Sequence, residues 1–185
     1  MEYIGYILLG LVVVIALYAV GGYNSLVSLR NQVEEAFSTM DVYLTKRYDL
    51  IPNLVETVKG YAKHEKETHE AVISARNKAV NATTMEGKIE AENAMSGVIG
   101  RLFALAESYP DLKANTNFLD LQNQLKSIED DIANARKYFN GVTRQYNTKI
   151  EVFPMNLLAG IFGFTKKPLF VVADEQQRQN VKVSF

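Results

Sequence analysis

The spacing of apolar and polar positions changes along the chain, and the changes separate one unbroken apolar run from a series of amphipathic stretches. Tyr3 to Val20, YIGYILLGLVVVIALYAV, contains no charged side chain, and none occurs between Glu2 and Arg30. At ~1.5 Å per helical residue the run matches a ~30 Å hydrocarbon core. A transmembrane anchor is therefore expected, with Tyr3, Ile7, Leu11, Val14 and Tyr18 among its embedded residues. A cleaved signal peptide needs a basic stretch ahead of the apolar run, and no Lys or Arg precedes this one; only Ala19-Val20-Gly21 loosely resembles a cleavage site. A buried core helix is usually shorter and carries polar interruptions.

Beyond Gly21-Gly22 the period becomes helical and one-sided. Leu26, Leu29, Val33, Ala36 or Phe37, Met40 and Leu44 form a stripe that continues the anchor helix into the soluble part. Asp49-Leu50-Ile51-Pro52-Asn53 interrupts it. Pro52 disfavours the helical conformation at Ile51 and suits the first turn of a helix, so the expected reading is an end and a new start here, with a kink in one longer helix as the alternative. The second helix then carries Leu54, Val55, Val58, Tyr61, Ala62, Val72, Ile73, Ala75 and Ala79, with a polar middle from Lys63 to Glu70. Asn81 to Thr84 reads as a turn, with Thr83 or Thr84 as N-cap and Glu86 able to complete a capping box with Thr83. A third helix follows through Ile89, Met95, Ile99, Leu102, Ala106 and Tyr109, with Gly97 and Gly100 placed to permit close packing, and Pro110-Asp111 stops it.

The fourth helix has the most regular pattern. Phe118, Leu121, Leu125, Ile128, Ile132, Ala135, Phe139, Val142 and Tyr146 alternate steps of three and four, a heptad seam. Short connections between comparable helices predict an all-α fold: an antiparallel up-down four-helix bundle over residues 23-152, with the N-terminal transmembrane helix (1-22) continuing into its first helix. Residues 153-185 form a third region, an apolar segment and a tail.

That connectivity returns the apolar segment FPMNLLAGIFGF to the membrane end of the bundle. Phe153, Leu157, Leu158, Ile161, Phe162 and Phe164, followed by Lys166 and Lys167, are expected to contact the bilayer surface or a neighbouring subunit, with the lysines toward headgroups. The alternative is that the segment caps the base of its own bundle. The alternating end, Val181 to Phe185, could form one short strand if it found a partner.

Composition removes several functions. The chain of 185 residues balances 20 Lys and Arg against 21 Asp and Glu without a dense basic block, which argues against nucleic acid as a partner. It has no Cys, so thiolate zinc sites and disulfides are excluded. His64 and His69 are five apart, one residue too far for the HExxH spacing, and neither has the Glu three positions earlier that a bundle di-iron site requires. No glycine-rich phosphate loop or nucleophile elbow occurs, so no cofactor and no enzymatic activity are expected. Asn81-Ala82-Thr83 matches a glycosylation acceptor, a triplet common by chance. Arg47, Asp49, Glu56, Arg76, Arg101, Glu129 and Arg136 lie in or beside apolar stripes, where paired buried charges would fix the helix register. Arg30, Lys46 and Arg47 follow the anchor while only Met1 and Glu2 precede it, so the positive-inside rule favours an outside N-terminus and a cytoplasmic bundle.

Several stretches resemble the LemA family of prokaryotic membrane proteins. They are Tyr23-Asn24-Ser25-Leu26-Val27, Leu29-Arg30-Asn31, Asp41-Val42, the run from Lys46 to Ala62 (KRYDLIPNLVETVKGYA), His64-Glu65, Ala75-Arg76, Tyr109 to Ala114, Asn117-Phe118, Ala135-Arg136 with Tyr138, Tyr146-Asn147, Phe153-Pro154 and Gly163-Phe164. Phe37 stands where that family often has Trp and Phe139 where it often has Tyr. The resemblance implies one N-terminal membrane helix, a cytoplasmic four-helix bundle and no established catalysis. Its magnetosome-associated relative points toward membrane organisation. The functional expectation is a scaffold in the cell membrane whose partners are the lipid bilayer and further copies of itself, a homo-oligomer. The alternative is an adaptor that presents a protein partner at the membrane.

Overall fold

In a computed structural model of the protein, the structure describes residues 2-171. Those residues form helices joined by short turns and contain no strand: α1 (Glu2–Tyr61), α2 (Lys66–Asn81), α3 (Met85–Ala106), α4 (Pro110–Lys113), α5 (Thr116–Glu151) and α6 (Met155–Phe162). The stretch from Val181 to Phe185, expected as a strand, lies outside the described residues.

α1 corrects the first helix boundary. The chain passes through Pro52 without leaving the helix and breaks instead after Tyr61, at the start of the polar middle of what was read as one second helix. The reason lies at one backbone carbonyl. Proline has no N–H, so the carbonyl of Tyr48, four residues earlier, loses its helical donor. Arg76 of α2 supplies the replacement: its Nε donates to the Tyr48 oxygen at 2.9 Å. The break falls where nothing apolar remains to bury, and the turn closes with Glu65 N–H donating to the Ala62 carbonyl at 3.3 Å.

Turn chemistry places the remaining ends. Thr84 is the N-cap of α3, its hydroxyl accepting from Gly87 N–H at 3.1 Å; this selects Thr84 over Thr83, and the reciprocal Glu86 bond is not formed. Asn115 caps α5 in the same way, accepting from Phe118 N–H at 3.0 Å. Pro110 opens the single turn of α4, where its missing donor is harmless. Gly97 and Gly100 face open space, so no neighbouring helix uses them for a close approach.

The described residues divide into two compact units, and α1 and α5 contribute to both. The unit of residues 41-133 with 170 and 171 buries Leu44, Ile51, Leu54 and Val58 of α1, Val72 and Ala79 of α2, Met95 and Leu102 of α3, and Phe118, Leu125 and Ile132 of α5. Of the charges named in or beside its apolar stripes, Arg47 is the one that is both buried and ion-paired among the described residues. Arg47, buried, pairs with Glu92 and, at 2.7 Å, with Glu129, while Tyr48 donates its hydroxyl to Glu92. Asp49 and Arg101 are exposed instead, and Glu56 pairs at the surface with Lys59.

The unit of residues 2-40 and 134-169 is built from the first part of α1, the second part of α5, and α6. Leu26, Val33, Ala36 and Met40 are buried with Phe139, Val142, Tyr146 and Ile150, and the rings of Phe37 and Phe139 lie 5.6 Å apart. The heptad seam of α5 is realised over both units. Phe118, Leu125, Ile132, Phe139, Val142 and Tyr146 are buried, while Leu121, Ile128 and Ala135 are half-buried.

Candidate membrane-interface site

Every described side chain from Tyr3 to Tyr18 is exposed, including Tyr3, Ile7, Leu11, Val14 and Tyr18. No core among the described residues takes up this surface, which argues against the buried-helix reading and leaves a helix long and apolar enough to cross a membrane.

The chain that follows α5 turns back onto α1 just past that surface. α6 presents Met155, Leu158, Ala159 and Phe162 at helical spacing, and this side meets α1. Gly22 makes the approach possible: a Cβ built there would lie 2.6 Å from Met155 Cε and 2.8 Å from Leu158 Cδ1. One turn of α1 is thus open enough to seat two apolar side chains. The Phe162 ring lies 4.8 Å from Tyr23 and the Phe164 ring 5.8 Å from it.

α6 ends on Gly163 in the left-handed conformation, φ 70°, which a side chain would oppose. Phe164 N–H then donates to the Ala159 carbonyl at 2.9 Å, the six-residue closure of a Schellman end. That closure sends the following strap along α1 and α5. Phe164 lies beneath the Arg30 guanidinium, 5.6 Å from ring centre to charge. Asn147 holds the strap at both backbone groups of Lys167, accepting from its N–H and donating to its carbonyl, each at 2.9 Å. Tyr146 donates to the Thr165 carbonyl at 2.9 Å, and burial pushes this phenol's pKa up, against Arg30, which lowers it, and with Glu34, which raises it.

The outer side of α6 remains apolar and uncovered among the described residues. Phe153 is 79% exposed, Leu157 57% and Ile161 76%, and Phe162 is exposed beyond its contact with Tyr23. Leu158 and Phe164 are half-buried against α1. Lys166 pairs with Glu151 and Lys167 lies 3.8 Å from Glu34. Of the residues expected to make contacts, Leu158 and Phe164 therefore fasten the segment, while Phe153, Leu157 and Ile161 stay available. Tyr23 and Arg30 do the receiving, and Asn147 does the clamping. Asn147 stands out in the sequence only within the Tyr146-Asn147 pair of the family resemblance, and no periodicity or motif gives it a role.

The LemA family pattern matches residues 36–185. The chain belongs to the LemA family. It is similar to a curated relative named "Protein LemA" from Metamycoplasma hominis, 26% identical over an alignment covering 89% of this chain and 75% of that one. It is also similar to "Magnetosome protein MamQ 2" and "Magnetosome protein MamQ 1" of Paramagnetospirillum magneticum, each 25% identical with 80% of this chain covered. The chain spans 64% of the length of those two magnetosome proteins. The family pattern covers α6 and its strap, and it begins after the apolar surface of α1.

Proposed function

We propose that this LemA-family chain is a membrane-anchored, non-catalytic helical scaffold. In this reading, α1 crosses the bilayer with residues 3-20, and α1, α2, α3 and α5 make an antiparallel up-down four-helix bundle on the cytoplasmic side. Copies associate laterally to organise a patch of membrane. The observation that carries it is the position of α6. An apolar, lipid-compatible helix face is clamped within one or two turns of the end of an uncovered apolar helix, at Gly22 and Tyr23. Two adjoining apolar surfaces on one chain suit an interfacial helix lying beside an anchor. Phe153, Leu157 and Ile161 then reach the boundary layer, where neighbouring copies meet, and Lys166 and Lys167 lie toward headgroups. The names of the magnetosome relatives agree with a part in membrane organisation.

The test is particle mass in mild detergent for the full chain and for Leu157→Glu with Ile161→Glu. The scaffold reading expects a defined homo-oligomer that the double variant breaks into smaller particles. A wild-type monomer would favour the adaptor. Orientation is read separately: the chain lacks cysteine, so Thr45→Cys gives one thiol, which should react with an impermeant reagent only from the cytoplasmic side.

A further inference from the structure

The uncharged part of α1 is longer than a bilayer needs. About 40 Å of helix separates Glu2 from Arg30, the next charge, against ~30 Å of hydrocarbon, and the surplus of about 10 Å is the width of one helix lying flat. α6 sits at that surplus. Between Glu151 and Lys166 no residue is charged, and those two exposed side chains pair with each other at 2.5 Å, so the chain leaves and re-enters the charged layer at one point. Arg30 marks the same edge, standing over Phe164. On α6 itself Asn156 is the one polar side chain. A helix resting on a membrane surface keeps a polar face in water. α6 has no such face: Met155 and Ala159 are buried on one side, and Leu157 and Ile161 are exposed on the other.

Contacts at the two ends of α6 fix its direction. Met155, its first residue, and Phe162, its last, reach neighbouring residues of α1, Gly22 and Tyr23. Those ends are about 10 Å apart along α6, whereas Gly22 and Tyr23 are about 1.5 Å apart along α1. α6 therefore crosses α1 instead of running beside it. Toward the N-terminus the anchor is bare, since every described side chain from Tyr3 to Tyr18 is exposed.

We propose that α6 is a wedge in one leaflet, and that it gathers the chain on membrane that is convex on the side where α1 emerges at Gly22. The wedge rests on the proposed crossing of the bilayer by α1, and it commits the Leu157 and Ile161 face to the acyl chains of that near leaflet. Continuity with the bare anchor and the lack of charge from Val152 to Thr165 argue for lipid there. In the far leaflet the chain has the cross-section of one helix. In the near leaflet α6 adds a body about 12 Å long and about 10 Å wide, on the order of 100 Å², which about doubles the area taken. Area added to one leaflet alone is accommodated best where that leaflet is stretched, on the outside of a curve. The sign follows the emerging side of α1, whichever compartment that side faces.

The full-length chain, carrying a dye on Thr45→Cys, is reconstituted at low density into phosphatidylcholine vesicles extruded to diameters of about 50 and about 400 nm, and an impermeant quencher separates outward-facing from inward-facing copies. Outward-facing copies are expected to be about twofold or more denser per lipid on the small vesicles, inward-facing copies to show the reverse, and Leu157→Ser with Ile161→Ser to flatten both. These substitutions replace exposed side chains, so the contact at Gly22 keeps α6 in place. Immersion is read separately: the chain has no Trp, so Ile161→Trp gives a single fluorophore that phosphatidylcholine brominated in the upper acyl chain should quench. Extraction of the whole chain by alkaline carbonate sinks the anchor and the wedge together. A chain that stays inserted with its tryptophan unquenched, because a second copy or water covers α6, overturns the wedge alone. Quenching with even densities, or the same size dependence in the serine variant, overturns the curvature preference.

Discussion

Arg76 should be worth more to this protein when residue 52 is proline than when it is alanine. The Tyr48 carbonyl has lost its helical donor to Pro52 and receives Arg76 Nε at 2.9 Å instead. Truncating Arg76 to Met keeps much of the apolar stem but removes a charge-assisted bond, worth ~1.5–3 kcal/mol. Because Arg76 is half-buried, the expected loss is about 2 kcal/mol. Pro52→Ala restores an N–H aimed at the same carbonyl, so in that background Arg76→Met should cost about 1 kcal/mol less. The four proteins of this cycle can be compared by hydrogen exchange of peptides covering residues 48-61, in detergent, alongside urea unfolding followed by circular dichroism. Arg76→Met should speed exchange just after Tyr48 most strongly when proline is present. An identical cost in the native and the Pro52→Ala backgrounds would refute the idea that Arg76 stands in for the missing helical donor.

Other expectations follow from the same contacts. Arg47→Met should lose about 3–5 kcal/mol in urea unfolding, because Glu92 is left buried with Tyr48 alone, whereas Glu129→Gln, at 44% exposed, should lose less than ~1 kcal/mol. The Tyr48 hydroxyl is pushed up from 10.0 to about 12, by burial first and Asp41 also, with Arg47 opposing. Its folded value lies above its unfolded one, so its stabilisation is complete below pH 10 and is lost as the pH rises through about 12. Unfolding free energies from urea curves across that range should fall, by no more than ~3 kcal/mol for this group, and fall less in Tyr48→Phe. His69 has the opposite sign: its folded pKa lies below the ordinary 6.5, so its stabilisation is present above pH 6.5 and is lost as the pH drops through the folded value. His69→Gln should flatten that acid limb of the unfolding midpoint. Gly163→Ala should destabilise α6 by about 1 kcal/mol, read as faster hydrogen exchange in residues 155-169, because φ 70° suits glycine.

The helical character of the chain was legible in one dimension because burial along a helix repeats every three or four residues. The seam from Phe118 to Tyr146 and the stripe from Leu26 to Leu44 have that origin, whereas the run from Tyr3 to Val20 was legible from its unbroken apolar length. The α6 residues could likewise be named from their apolar density, and the turn near Thr84 from its capping chemistry. What no local pattern could decide is who answers a polar group far away in sequence. Pro52 left open a helix end or a kink within one longer helix; the helix continues, with Arg76, 28 residues on from Tyr48, taking the orphan carbonyl. Arg47 was visible as a charge in an apolar stripe, yet Glu92, its buried partner, was not singled out in a sequence with many acids. The cleft of Gly22 and the clamp of Asn147 have the same cause. Each depends on atoms of separate elements meeting at a few ångströms, and only the folded chain sets that distance.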